Sequence, residues 1–381
     1  MPDPWFAAKI DPSLTKLVKF CWLEGLHQGT RKSYGLALKD YLAFCTEHGL
    51  RNHVAAWFGG PSAALHGKNA PFPGEAELMW FAGWLLWRRK LQPATIMGKM
   101  TGLASELSAM GKPDCMVDPG GAPHKKLHRL LRGMKRNYTK KPKTRKPLTI
   151  DKVKLINDFC DARRDLSEMD KATLTAAWTG GVRLMLRIGE ITTEKNHEFD
   201  ASLKPTLLDV DLDHLDYRLA TFAELDVKAS KTDYYRKGVT LRCAADGSST
   251  CAVRRLGRMK AMRLARGAAQ TDALFRMDDG SYLTRKRLQK EMRSCLKAVG
   301  LVPGHYSSHS LRIGGATTLA ACKEMDSDRI RVLGRWASDC FLRYMRQTDT
   351  MLKDVARAMG AMADVDFRLL GKKAFDPWTA G

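Results

Sequence analysis

A chain of 381 residues with an ordinary apolar fraction has material for two domains or more and for real hydrophobic cores. Its formal charge of +23, from 64 Lys and Arg against 41 Asp and Glu, implies a polyanionic partner, and cations spread over the whole length suit an extended nucleic-acid contact better than a membrane anchor. Nine scattered cysteines with no Cys-x-x-Cys pair give neither a zinc spacing nor a disulfide framework, which fits reduced thiols in an intracellular compartment.

Residues 13–58 are predicted to be helical, with Thr30 capping a helix whose apolar positions Tyr34, Leu38, Tyr41, Leu42 and Cys45 recur at three and four. A Gly/Pro-rich loop (Gly59 to Gly74) leads to a helix over Glu75–Lys90. Its run Leu78 to Trp87 is about half the length of a membrane span and meets Arg88-Arg89-Lys90 at once, so it reads as a core helix. The N-terminus also lacks a signal peptide's basic and apolar regions. Pro93 opens another helix that ends near Met110, Gly111 to Pro123 is loop, and His124 to Arg136 is a short basic helix. Residues 1–136 thus form a small all-helical domain. The stretch Lys135–Lys146 carries seven Lys/Arg in twelve residues and no acid, and 137–147 reads as a basic linker: a solvated tether, a nuclear-import signal in a eukaryotic host, or a segment lying against phosphates.

From residue 148 to 350 the pattern changes. Thr149 caps a helix to about Arg164, a second helix spans Lys171–Trp178, and Gly180-Gly181 separate it from a helix bearing Arg187. Leu207 to Cys243 alternates apolar and polar residues in short runs, as a small antiparallel sheet does. Helices resume from Ala252 to the end. In the tail, 351–381, Met351, Leu352, Val355, Met359 and Met362 fall on one helical face. The fold class is mainly α with a small antiparallel sheet: a helical N-terminal domain and an α+β C-terminal one.

The chemistry concentrates in the second domain. Arginine forks suit the non-bridging oxygens of a phosphodiester, because they bond two at once and keep their charge. Arg187 and Arg312 are the candidate clamps, with Arg183 four residues before Arg187 and on its helix face. Glu190 lies three residues after Arg187 and can hold it by an ionic hydrogen bond. His309, three residues before Arg312, titrates near neutrality and can take a proton, and Tyr344 offers a hydroxyl able to attack phosphorus. His305, Tyr306 and Tyr282 are poorer candidates for these roles. Gly67-Lys68 lacks the spacing and hydroxyl of a P-loop, and His124-x-x-x-His128 lacks the Glu of a zincin, so neither ATP, a metal nor another cofactor is implied.

Leu-Arg-Ile-Gly-Glu around Arg187, a hairpin lysine in Lys228-Ala-Ser-Lys-Thr-Asp, His309-Ser-Leu-Arg312 and a terminal Tyr344, in that order, resemble the tyrosine recombinases and phage integrases. The N-terminal Thr-Arg-Lys-x-Tyr…Tyr-x-x-Phe and Leu-x-Pro-Ala-Thr-Ile resemble that family's core-binding domain. The resemblance implies a DNA-clasping N-terminal domain and a catalytic C-terminal one. It makes Arg187 and Arg312 ligands of the scissile phosphate, Glu190 their support, His309 a proton acceptor or phosphate ligand, Tyr344 the nucleophile and Lys231 the acid that protonates the leaving 5′ oxygen. Lys228 and Lys237 compete with Lys231. Gly334-Arg335-Trp336 departs from the commonest pattern: Arg335 stands nine residues before Tyr344 and Trp336 eight, so either Arg335 is a third cation on the phosphate or Trp336 packs there. The wording of this segment looks most like transposon-borne eukaryotic members, which points to a mobile element.

Duplex DNA is the expected partner, with Arg31, Lys32, Lys99, Arg132, Lys135, Arg136, Lys140, Lys141, Lys143, Arg145, Lys146 and Arg183 as expected contacts. A homotetramer on synapsed DNA is expected, closed by the apolar tail docking on a neighbour, and nuclear if the host is eukaryotic, otherwise in the cytoplasm or nucleoid. Related outcomes of the same chemistry are a hairpin telomere resolvase or a type IB topoisomerase; another class is a domesticated DNA-binding protein that no longer cuts.

Overall fold

A computed structural model describes residues 12–50, 73–110, 112–140, 145–230, 233, 235–322 and 325–338, together with 342, 353, 356 and 357. The chain divides into two compact units, Met1–Pro142 and Lys143–Gly381. The division falls inside the stretch read as linker.

The first unit holds five described helices: α1 (Pro12–Glu24), α2 (Gln28–Glu47), α3 (Glu75–Trp87), α4 (Pro93–Ala109) and α5 (Lys125–Tyr138). Its core is built from Tyr41 and Phe44 of α2, Leu78, Phe81 and Leu85 of α3, Ile96, Met100 and Leu103 of α4, and Leu127 and Leu131 of α5. α2 starts before Thr30. Its cap is His27, whose Nδ1 accepts from the Gly29 amide at 3.1 Å, so an imidazole satisfies the free amide that a threonine hydroxyl was expected to serve. α3 is a core helix on one side only: Trp80 and Trp87 are three-quarters exposed. No described helix is long and apolar enough to cross a membrane. α5 buries Leu127, Leu131 and Met134 and turns Lys125, Lys126, Arg129, Arg132, Lys135 and Arg136 outward.

The second unit has α6 (Ile150–Ala162), α7 (Glu168–Arg183), a short α8 (Ile188–Ile191), three strands, then α9 (Ala252–Ala265), α10 (Arg285–Ala298), α11 (His309–Ala320) and α12 (Ser327–Leu333). The strands β1 (Val210–Leu212), β2 (Phe222–Val227) and β3 (Val239–Ala244) form an antiparallel sheet in that order, with Val210 opposite Leu225 and Val227 opposite Val239. Ala223, Leu225 and Val227 alternate inward, which is the period-2 signal legible in the sequence. Around Trp178, which is fully buried on α7, pack Ile156, Leu207, Leu225, Leu256, Leu288 and Leu311 from five other elements and a loop. The architecture is the expected one, mainly α with a small antiparallel sheet.

Three local expectations are corrected. Gly180 and Gly181 do not break a helix: α7 runs through them to Arg183. A Cβ on Gly181 would lie 2.9 Å from Leu311 Cδ1, so the glycine admits α11 and tertiary packing offsets its poor helix propensity. Arg187 is therefore not inside a helix but caps α8 after three non-helical residues, and it shares no helix face with Arg183. Residues 266–284 are not helical; they hold short bridges, Thr206 to Ala273, Arg276 to Tyr282 and Thr193 to Thr284.

Candidate active site

Two helix ends, of α7 and α12, and two helix starts, of α8 and α11, build the site. α11 lies unusually close to the end of α7 and to the segment before α6: a Cβ on Gly315 would sit 2.4 Å from the Val182 carbonyl oxygen, and one on Gly314 only 1.8 Å from the Leu148 carbonyl oxygen. That approach brings Arg312, one turn into α11 and 4% exposed, against the backbone that leaves α7. Its guanidinium donates through Nη1 to the Met185 carbonyl and through Nη2 to the Gly334 carbonyl, and it lies 4.4 Å over the Trp336 ring.

Glu190, buried on α8, is the second organiser. Its Oε2 accepts from the Arg187 amide at 2.8 Å and from Arg335 Nη2 at 3.0 Å. Its Oε1 accepts from Arg187 Nη1 at 3.2 Å and from Arg335 Nη1 at 3.1 Å. Arg187 Nη2 reaches on to the Arg335 carbonyl at 3.2 Å. The i,i+3 pair of Arg187 and Glu190 is thus half of a larger cluster, in which one carboxylate faces two guanidiniums and a third guanidinium, Arg312, lies beside them.

Arg335 and Trp336 both belong to this site, and the reason is the way α12 ends. The Arg335 amide donates to the Val332 carbonyl at 2.9 Å and the Trp336 amide to the Arg331 carbonyl at 3.1 Å, the bond pattern of a Schellman cap. Glycine usually fills the left-handed position of such a cap; here Arg335 does, at φ 56°. Met185, just past α7, is also left-handed at φ 45°. Each such residue costs roughly 1–2 kcal/mol, and strain of this kind collects at functional sites. The turn throws the Arg335 side chain onto Glu190 and folds Trp336 back over Gly334, where a Cβ would stand 1.7 Å from the indole. Trp336 also packs with Met185, Ala316 and Ile330. Arg335 Nε is buried with no hydrogen-bond partner among the described residues.

His309 opens α11, with Arg312 three residues on, as the His-x-x-Arg spacing requires. The residue reaches solvent, yet partial desolvation, followed by the charges of Arg312 and Arg285, holds its pKa below the ordinary imidazole value. A neutral imidazole is the form that accepts a proton. Tyr306 is 2% exposed and part of the core, and Tyr282 stacks on Phe199 at 5.2 Å.

Lys231 and Tyr344 lie outside the described residues, as do Lys141 and Lys143 and, apart from Lys353, Ala356 and Arg357, the tail helix. The sheet places the 228–238 segment between β2 and β3. Of the competing lysines, Lys228 pairs with Asp209 at 2.7 Å and also donates to the Ala201 carbonyl, whereas Lys237 is exposed.

The other expected DNA contacts divide. Lys32, Arg132, Lys135, Arg136, Lys140 and Lys146 are exposed. Lys99 is turned inward to Asp40 at 2.7 Å, and Arg31 pairs with Glu24 at 3.4 Å. Arg183 ties the end of α7 to the loop after β3: it pairs with Asp246 and donates to the Thr250 carbonyl at 3.1 Å. Arg145 donates to the Gly304 carbonyl at 2.7 Å and the Lys146 amide to the His305 carbonyl at 2.9 Å, so this end of the basic stretch is bound to its own unit. Sequence reasoning missed Met185 and Arg285, and it named Gly334 only within its motif, not for its carbonyl. A backbone carbonyl leaves no mark on a sequence, and Arg285 lies 24 residues before the histidine it faces.

No protein-family model matches this chain, and no curated protein matches it by sequence. Solved structures do match by fold. The XerH site-specific recombinase bound to its difH substrate, in a pre-cleavage complex, is 16% identical, covers 85% of this chain and 78% of its own, with a TM-score of 0.51. A post-cleavage complex of XerH with palindromic difH is 16% identical over 75% of this chain and 72% of its own, with a TM-score of 0.50. A lambda integrase dimer bound to a core site is 14% identical over 91% of this chain and 85% of its own, at 0.44. The fold of this chain is that of the site-specific tyrosine recombinases.

Proposed function

We propose that the chain is a site-specific recombinase that cuts and rejoins duplex DNA through a 3′-phosphotyrosine. The observation that carries this reading is the convergence of Arg187, Arg335 and Arg312 around Glu190 and the Met185 carbonyl, with His309 one helical turn before Arg312 and in its electrostatic field. Such a cluster concentrates guanidinium charge at one place. It is suited to the extra negative charge that a phosphodiester gathers when a fifth oxygen approaches phosphorus. Arg187 and Arg312 hold the non-bridging oxygens, Arg335 adds a third cation through its bond to Glu190, and Trp336 fixes the plane of Arg312.

In this reading Tyr344 supplies the attacking oxygen. Its proton passes to His309, whose lowered pKa keeps the ring neutral beforehand. The bond from phosphorus to the 5′ oxygen breaks as the tyrosyl bond forms, and Lys231 delivers a proton to the departing oxygen. Religation reverses the steps on another strand, so the bond energy is kept and no ATP is spent. Fixed guanidinium charge does the work a divalent cation would do, so cleavage proceeds in a chelator. The exposed cations of α5 (Lys125, Lys126, Arg129, Arg132, Lys135, Arg136) are suited to lie along DNA phosphates. Assembly as a tetramer, through the tail, belongs to the same reading, as does a mobile-element role.

Tyr344→Phe on a nicked suicide substrate is the test. The variant binds DNA as the native chain does and forms no covalent adduct. An adduct from the phenylalanine variant would move the nucleophile elsewhere, and none from the native chain would leave a DNA-binding protein that does not cut.

A further inference from the structure

Two arginines of the site do not meet each other directly; they meet at one backbone oxygen. The Met185 carbonyl accepts from Arg312 Nη1 and also from Arg335 Nη2, the latter at 3.3 Å. Met185 adopts φ 45°, a conformation a methionine adopts only under constraint, and it is 1% exposed. The constraint is visible. α7 has ended at Arg183, the chain must turn before Arg187 caps α8, and α11 presses on the turn so closely that a Cβ at Gly315 would lie 2.7 Å from Met185 Cγ. The side chain is held between Ala316, Ile330 and Trp336, the same indole that carries the face of Arg312.

We propose that Met185 is a positioning residue of the catalytic centre: its left-handed turn aims one carbonyl oxygen between Arg312 and Arg335 and so sets their spacing on the scissile phosphate. The inference rests on the recombinase reading and adds to it the element that joins the Glu190 cluster to Arg312. An ordinary helix end would have used glycine here. Methionine gives the same turn a side chain that locks it against α11 and Trp336, so carbonyl, indole and both guanidiniums move as one body. The oxygen acts through the arginines and touches no reacting atom.

The test weakens that oxygen alone. Replacing Leu186 by its α-hydroxy analogue turns the amide between residues 185 and 186 into an ester, whose carbonyl is a poorer acceptor. It deletes the Leu186 N–H, which donates no hydrogen bond among the described residues. Covalent adduct formation is followed in single turnover on a suicide duplex, beside duplex affinity and thermal melting. The ester chain should melt and bind as the native chain does and form adduct roughly 10-fold more slowly, the size of one weakened charge-assisted hydrogen bond. In an Arg335→Lys background, where the shared bond is already broken, the ester should add less than about a twofold loss, since coupled groups are not additive. Native adduct rates in the ester chain, or a full tenfold loss added on top of Arg335→Lys, would overturn the positioning role while leaving the recombinase reading in place. A native chain that forms no adduct overturns both. A second pair covers an ester chain that fails to fold. Met185→Gly keeps the left-handed turn and its carbonyl but loses the side chain that locks them, and should slow adduct formation about threefold, whereas Met185→Val, β-branched and averse to that turn, should lose about tenfold or more. The reverse order refutes the proposal.

Discussion

In each unit of this protein a buried carboxylate is held between two cations, Asp40 in the first and Glu190 in the second, and these two clusters are built differently. In the first unit Asp40 of α2 is paired with Lys99 at 2.7 Å and Arg89 at 2.5 Å, side chains from α4 and the end of α3. The cluster joins three helices. In the second unit Glu190 pairs with Arg187 and Arg335, but two of the residues around it, Met185 and Arg335, are left-handed, and a third guanidinium stands beside them bonded to carbonyl oxygens. A cluster meant only for stability has no use for two left-handed residues or for a guanidinium laid over an indole. In the proposed reading the contrast separates a structural ion cluster from one prepared for an anion.

The largest expected effect breaks the comparison at its most unequal point. Arg312→Ala should cut adduct formation roughly 1000-fold, the upper range for losing a preorganised donor to a developing oxyanion. Arg89→Ala, which removes a cation from the Asp40 cluster, should leave the single-turnover rate unchanged. Equal rate losses in the two variants would mean that charge, not placement, matters.

Glu190→Gln and Asp40→Asn sharpen the comparison. Each removes the negative partner of two cations, and each should lower stability by about 1–3 kcal/mol. Only Glu190→Gln should also slow cleavage, because Arg187 and Arg335 then repel one another at the phosphate. Chemical denaturation set beside adduct kinetics distinguishes the two. A Glu190→Gln chain that is destabilised yet cleaves at the native rate would reduce its cluster to a structural one.

The two clusters were unequally legible in the sequence. Arg187, Glu190, His309 and Arg312 carry their chemistry in side chains a few residues apart, so spacing alone pairs them. Lys99 was read only as a DNA contact because its ion-pair partner Asp40 lies on another helix, and nothing near Lys99 announces it. The break expected at Gly180-Gly181 failed for a similar reason: the compensation for glycine there is α11, well over a hundred residues later. Met185 was invisible because its contribution is a carbonyl and a φ angle. The choice between Arg335 and Trp336 stayed open in the sequence because it assumes one position for one role. The Schellman turn delivers both, one to Glu190 and the other to the face of Arg312.

Acid should find the first cluster in a definite direction. Burial alone would raise the Asp40 pKa, but hydrogen bonds and charge from Lys99 and Arg89 outweigh it and hold it below the ordinary 3.8. A carboxyl depressed on folding contributes stability above its unfolded pKa and loses that contribution as pH falls through the folded value. The first unit should therefore lose stability below about pH 4 more steeply in the native chain than in Asp40→Asn, as fluorescence melts across that window would register. Parallel acid limbs would contradict the pairing.

The smallest effect concerns the second site and has the opposite reading. His309 is lowered below the ordinary 6.5 by desolvation first, then by Arg312 and Arg285. Lowering favours the neutral ring, so if His309 takes the tyrosine proton as proposed, the acid limb of cleavage should lie below that value. Arg285, exposed at the start of α10, belongs to neither arginine cluster and contributes charge alone. Arg285→Gln removes the weakest of the three causes. It should move the acid limb upward, toward the ordinary value, with the plateau rate above neutrality unchanged. Lys in place of Gln should restore the native limb, because only the charge acts. An acid limb that stays fixed in Arg285→Gln while His309→Gln abolishes it would place the field on His309 elsewhere; a limb unmoved by either substitution would mean His309 does not carry the proton.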